Sequence, residues 1–311
     1  MASRAAAAAV VVLALVCAAQ PSLSAATAAG GLSPDFHATT CPSLQQIVAF
    51  HVGEAFKNDS GVAPALIRIL FHDCFPQGCD AACSRTVSCA DITVLATRES
   101  LVLAGGPRFD VALGRRDSFF PASKDQVGLL PAPFHPVDTL IKSFGDRGLN
   151  VADLVSLSGA HTFGVAHCGA FRDRFKPVFD TSPAIDPKFA TELRNKCAKD
   201  IPEGTLKQNL DVRTPNIFDN KYYFDLIARQ GLFKSDQGLF DHPTTKRMSI
   251  RFSLNQDAFF EQFAKSMAKM VNMDLLTGDK GEIRARCAVR GTPPRIEAAA
   301  AGNDEGIAAD M

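Results

Sequence analysis

Hydrophobic and polar positions recur along most of this chain at the three-to-four spacing of helices, and two-residue alternation is scarce. In NQDAFFEQFAKSMAKMVN, Phe259, Phe260, Phe263, Met267 and Met270 make one apolar stripe, which predicts a helix buried along one side. In NDSGVAPALIRILFHDCF, Ser60 is a candidate cap, Pro64 stands near a helix start, and Leu66, Ile67, Ile69 and Leu70 follow as apolar positions. Arg68 and His72, four apart, then share one face. NVADLVSLSGAH predicts a helix capped by Asn150, with Asp153 in its first turn and Gly159 as a stop just before His161. FDNKYYFDLIARQG predicts a short amphipathic helix ended by Gly231. No repeat or interdomain linker is visible, and the tail from Thr292, with two prolines and small polar residues, predicts disorder.

Composition narrows the class. The chain has 311 residues, 46% hydrophobic and 21% charged, which suits one large globular unit or two closely packed lobes. Lysine plus arginine equals aspartate plus glutamate at 33 each, so no basic bias points to nucleic acid and no acidic run to disorder. Arg4 precedes an apolar tract from Ala5 to Ala19, followed by SLSAATAAG. This reads as a secretory signal peptide over residues 1–28, cleaved between Ser24 and Ala29, with a buried N-terminal helix as the competing reading. The tract is too short for a membrane span, and no other stretch qualifies.

Secretion changes how the nine cysteines are read. Cys17 leaves with the signal, and the others are Cys41, Cys74, Cys79, Cys83, Cys89, Cys168, Cys197 and Cys287. An even set in an oxidising compartment implies a disulfide framework whose pairing the spacing leaves open. Zinc is the rival, but the sites are scattered and form no CxxC pair. Asn58-Asp59-Ser60 is a glycosylation sequon that agrees with the secretory route.

Of the seven histidines, His72 and His161 stand out by their neighbours. His72 lies one turn after Arg68, and His161 follows a helix between Gly159 and Thr162. An imidazole that ligates iron through one nitrogen needs a carboxylate on the other. A second, unligated imidazole near an arginine suits peroxide chemistry: the base takes a proton and the cation stabilises the departing oxygen. Periodicity alone does not bring the two sites together.

The blocks RILFHDCF, VSCADI, GGP, LGRRDS, LPAPF, DLVSLSGAHTFG, LDVRTPNIFDNKYY and SDQGLF make the chain from Leu32 to Arg290 resemble the plant secretory haem peroxidases, the class III family. The resemblance implies a mainly α haem-peroxidase fold, over residues 29–290, with helical lobes enclosing haem b and four disulfides, followed by a flexible tail at 291–311. It makes Arg68 and His72 the distal pair that cleaves peroxide, with Phe71 at the haem edge. His161 becomes the axial iron ligand, Asp236 its hydrogen-bonded carboxylate, and Pro131 the lining of the aromatic donor's approach. Thr162, Asp211, Thr214, Asp219 and the Ile217 carbonyl are similar to a proximal calcium site, an oxygen set that suits this ion; a solvated loop is the alternative. Asp73, Asp80 and the carbonyls of Pro76 and Gly78 are similar to a distal one. The family's bridges map to Cys41–Cys83, Cys74–Cys79, Cys89–Cys287 and Cys168–Cys197.

One departure is large. After Asp80 the chain runs AACSRTVSCAD, so on the order of forty residues that the family carries are absent near residue 82, far beyond ordinary loop variation. The family's distal asparagine, which steadies the distal histidine, has no counterpart. Ala82 stands where a serine ligand belongs, so the distal calcium site is expected to bind weakly or not at all. Cys79 and Cys83 can lie at most about 14 Å apart, which strains the two bridges they serve. His37 and Phe109 replace the family's commoner tyrosine and tryptophan and are read as packing changes. The expected activity is reduction of hydrogen peroxide to water with one-electron oxidation of phenolic donors, by a monomer with no nucleic-acid or membrane partner, in the cell wall or vacuole. The roles implied are oxidative-stress response and metabolism of wall phenolics and lignin. The alternative is a secreted, disulfide-bonded calcium binder that has lost catalysis, and a truncated transcript or mispredicted gene is a further source for such a chain.

Overall fold

The computed structural model describes residues 31–72, 86–120, 122–175, 184–202 and 204–287, and of Phe71, His72 and Gln126 only the backbone. The leader, the C-terminal tail and the stretch 73–85 lie outside the described residues. With that stretch go Asp73, Cys74, Pro76, Gly78, Cys79, Asp80, Ala82 and Cys83.

The chain is mainly helical. In order it forms α1 (Leu44–Asn58), α2 (Val62–His72), α3 (Cys89–Leu103), α4 (Lys124–Gly128), α5 (Val137–Gly145) and α6 (Val151–Ser158). Then come β1 (Val165–His167), α7 (Pro187–Cys197), β2 (Lys207–Asn209), α8 (Lys221–Ile227), α9 (Lys234–Asp241), α10 (Pro243–Leu254) and α11 (Gln256–Met270). Among the described residues the one sheet is the antiparallel pair β1–β2, with Ala166 opposite Gln208.

Two apolar clusters organise these elements. The larger surrounds α3, whose buried residues run on nearly every side from Cys89 to Leu101, so α1 and α2 pack against it rather than against water. On α11 the expected stripe is present: Phe259, Phe263 and Met267 are buried and Phe260 packs against the cluster. The aromatic rings of Phe218, Tyr223, Phe252 and Phe263 all lie within 5.8 Å of Phe259, centroid to centroid. The smaller cluster joins Phe171, Phe175, Phe189, Leu193 and Leu232 around the Cys168–Cys197 bridge.

Cys89–Cys287 is the second bridge formed among the described residues, and both match the pairing that the resemblance implies. Cys41 is also disulfide-bonded. The start of α3 is fixed several times over. Ser88 Oγ accepts the Asp91 N–H, and the buried Asp117 carboxylate accepts the N–H groups of Cys89, Ala90 and Arg284. One buried acceptor thus satisfies helix-end donors that would otherwise go unpaired.

Some local expectations shift. Ahead of α2 it is the Asp59 side chain, not that of Ser60, that accepts a backbone N–H, from Gly61 at 2.8 Å. α8 ends at Ile227, and the left-handed residue after it is Arg229 (φ 59°), with Gly231 placed instead where any Cβ would meet Leu226 and Gln237. His37 is not simply a packing change. Its buried ring sets Nε2 3.0 Å from Asp91 Oδ2, and the same carboxylate accepts the N–H of Gly114 at 2.7 Å and faces the Arg115 guanidinium at 3.3 Å. Phe109, by contrast, is an ordinary core residue.

A loop held by one carboxylate carries a testable titration. Asp200 accepts N–H groups from Gly204, Thr205 and Leu206 and the Thr205 hydroxyl, and the backbone N–H donors hold its pKa down to about 2. Because the folded value lies below the ordinary one, this loop's stabilisation is complete above pH about 4 and is lost as pH falls toward 2. The amide shifts of Gly204, Thr205 and Leu206 should therefore titrate together with a midpoint near 2; a midpoint in the usual carboxylate range would refute the assignment.

Candidate active site

His161 is presented by the end of α6. Asn150 and Asp153 form the expected reciprocal capping box, so the helix starts where the sequence places it. Gly159 is the C-cap that ends α6, as expected, with φ −59°, and the chain continues as a 3-10 turn over Gly159–Thr162. Glycine is required there for space, since a Cβ would stand 2.5 Å from Tyr223 Oη and 2.6 Å from Phe259 Cε2. The turn carrying His161 therefore rests directly on the aromatic floor.

The His161 ring is fixed from one side. Nδ1 lies 2.7 Å from Asp236 Oδ1, although the two residues are 75 apart in sequence. Asp236, in the first turn of α9, is buried and also accepts the Tyr222 hydroxyl at 3.0 Å and the Phe233 N–H at 3.0 Å. With all its donors directed at an ionised carboxylate, Nδ1 carries the proton and Nε2 is the free lone pair. The His161 side chain is 36% exposed, so the ring is held at Nδ1 yet open to a ligand. Burial draws its proton affinity down, but the charge and hydrogen bond of Asp236 outweigh this and raise it above the ordinary histidine value. The Phe233 ring meets the imidazole edge-on at 5.3 Å. Burial, and then the Asp236 charge, push the Tyr222 hydroxyl well above the ordinary tyrosine value, so it acts as a donor.

The four side chains of the expected proximal calcium set converge beside this turn. Thr162 Oγ1 donates to Asp211 Oδ2 at 3.1 Å and to Asp219 Oδ1 at 3.2 Å, and Thr214 Oγ1 reaches Asp219 Oδ1 at 3.0 Å. Ile217 belongs to the same loop, its N–H bonded to the Thr214 carbonyl. Two carboxylates, two hydroxyls and loop carbonyls are the hard oxygens that calcium takes, and the set fits such an ion. Among the described residues no group of three or more His, Cys, Asp or Glu is placed to hold a metal. Buried Asp225, which the sequence reading missed, accepts the Val212 N–H and ion-pairs with Arg213 at 2.8 Å. Burial, and then the neighbouring Asp211 charge, push its carboxyl up to about 8.

On α2, Arg68 is exposed and His72 ends the helix four residues later. The start of this helix touches the strand that leaves His161. Gly164 (φ +97°) approaches so closely that a Cβ would lie 3.0 Å from Pro64 Cβ. Pro131 is half-buried, and the turn it opens is tied to α9 by a Ser235 N–H bond to the Pro133 carbonyl at 2.9 Å. The side-chain placement of Phe71 and His72, and the distal calcium set, lie outside the described residues.

Comparison with known proteins identifies the family. A model of the peroxidase family matches residues 48–83 and 81–255. Peroxidase 2 of Hordeum vulgare is 77% identical over 151 residues, 49% of this chain and 88% of that protein. Peroxidase 12 of Arabidopsis thaliana is 39% identical over 317 residues, 89% of this chain and 87% of that protein. Cationic peroxidase SPC4 of Sorghum bicolor is 40% identical over 304 residues, 84% of this chain and 83% of that protein. The 317 aligned positions outnumber the 311 residues of the whole chain, so the Arabidopsis relative carries residues that this chain lacks. The family match breaks at 81–83, where the sequence runs abruptly from one motif into the next. The family implies haem, and a carboxylate-oriented imidazole with an open Nε2 fits an axial iron ligand. The chain therefore belongs to the peroxidase family, in its plant secretory class III branch, and is a peroxidase enzyme with an internal deletion after the α2 motif.

Proposed function

We propose that this chain is a secreted haem b peroxidase that reduces hydrogen peroxide to water while two phenolic donors each give up one electron and one proton. The observation that carries the reading is the 2.7 Å contact between His161 Nδ1 and Asp236, which leaves Nε2 as the iron-binding nitrogen. When bound, the haem would supply the iron centre that reduces peroxide and takes one electron from each of the two donors. His161 holds the group through Nε2, and Asp236 fixes that ring and makes it more basic. His72 takes a proton from peroxide and the Arg68 guanidinium stabilises the departing oxygen, with Phe71 at the haem edge. Pro131 lines the donor's approach.

Calcium on Thr162, Asp211, Thr214, Asp219 and the Ile217 carbonyl holds the residue next to His161 in place. The distal set Asp73, Pro76, Gly78 and Asp80 binds the ion weakly or not at all, because Ala82 stands where a serine ligand belongs. Loss of the residue that steadies His72 lowers turnover roughly 10–100-fold relative to an intact relative. The N-terminal pattern supports export to the cell wall, and Asn58, exposed at the last position of α1, is open to glycosylation. Among the described residues no helix is long and apolar enough to cross a membrane.

Hemin titration of the oxidised, calcium-loaded protein tests this directly. A Soret band near 400 nm (on the order expected for ferric haem) and peroxide-dependent guaiacol oxidation are expected. Absence of the band would reject the haem reading. It would also favour the second reading, a calcium-binding protein without catalysis, whereas haem uptake without turnover would reject the catalytic half alone.

A further inference from the structure

The turn that follows Pro131 is built around a histidine. The Ala132 N–H donates to His135 Nδ1 at 3.1 Å, and the His135 N–H donates back to the Ala132 carbonyl at 3.0 Å. A backbone N–H can only donate, so Nδ1 is the acceptor and the ring's proton sits on Nε2. Nε2 has no partner among the described residues. Beside it Phe134 is 60% exposed, and the two rings meet edge-on at 5.2 Å. The same turn is anchored by the Ser235 N–H to the Pro133 carbonyl, one residue before Asp236 and two after Phe233, whose ring touches His161. An oriented N–H donor and an open aromatic face thus lie together on a turn tied to α9 one residue from Asp236.

The carboxylate of nearby Asp138 is engaged by His242 at 3.1 Å, while Lys234, next to Ser235, has no carboxylate partner among the described residues. A hydrogen bond to an ionised oxygen is about twice as strong as one to a neutral oxygen.

We propose that His135 is a specificity residue of this peroxidase: its Nε2–H receives the carboxylate of a phenolic acid whose ring lies against Phe134. The proposal rests on the peroxidase reading above and names the donor class for it. Aromatic acids with a free phenol, the hydroxycinnamate type, are then preferred over neutral phenols of the same shape.

The test compares 4-hydroxycinnamate with 4-hydroxycinnamyl alcohol, which differ only at the end of the side chain. In His135→Phe the ratio of KM for the acid to KM for the alcohol should rise about fivefold. His135→Gln, whose amide can still donate, should recover part of the preference, which a merely structural role would not. In the parent protein the ring should show unprotonated Nδ1 by 15N NMR, and saturating 4-hydroxycinnamate should move the Nε2 resonance. An unchanged KM ratio in His135→Phe, or an Nε2 resonance indifferent to the acid, overturns the proposal. If the acid moves Nε2 but neither donor is turned over, the peroxidase reading fails and the binding role of His135 stands.

Discussion

Replacing His161 with alanine should abolish hemin retention, and Asp236→Asn should weaken it roughly 10–100-fold while leaving the fold in place. The asymmetry follows from what each group does. His161 offers the one open imidazole nitrogen at the site among the described residues, so on the proposed reading its loss removes the nitrogen that would hold the iron. Asp236 acts on that ring at 2.7 Å and also takes the Tyr222 and Phe233 donors. Asparagine keeps one acceptor oxygen but brings two N–H donors into a buried spot already crowded with donors. The imidazole then loses both its fixed orientation and the charge that makes it basic. Hemin titrations of both variants near the Soret band, with circular dichroism to confirm folding, measure the effect. Equal affinity in Asp236→Asn and parent would remove Asp236 from its orienting role.

Phe259→Ala should cost about 3–5 kcal/mol of folding stability, close to the largest effect expected of one apolar truncation. Phe259 is fully buried, stacked at 5.7 Å on Phe218 and in edge contact at 5.1 Å with Tyr223. It also lies against Gly159, beneath the turn that presents His161. The cavity left by alanine would therefore loosen both the core and the site floor. Urea unfolding should show a lower midpoint with an unchanged slope. A loss below about 1 kcal/mol would mean that the neighbouring rings collapse into the space.

The local chemistry of this protein was legible in its sequence where it depends on neighbours in the chain. The apolar stripe of α11, the Asn150–Asp153 box and the scarcity of strands all follow from short-range patterns. Long-range pairs came only from the family resemblance, as with His161 and Asp236 or Cys89 and Cys287, 198 residues apart. Tyr222, Asp225 and His135 were missed because nothing beside them in the chain signals their partners; a tyrosine's hydroxyl finds a carboxylate only once two helices have packed. Gly159 was legible as the end of α6, but the reason for a glycine there was not. The α-helix ends at this glycine as the sequence suggests, and a tyrosine hydroxyl 64 positions away dictates its lack of a side chain.

The start of α3 bears on how such a shortened chain can fold at all. Its first turn is pinned by Ser88, by Asp117 and by the link from Cys89 to Cys287, none of which belongs to the stretch before Thr86. A loss of chain upstream therefore cannot shift the phase of the helix downstream of the junction. The molecule behaves at this point like a building whose inner column is bolted to the far wall: an adjoining room can be removed without moving the column.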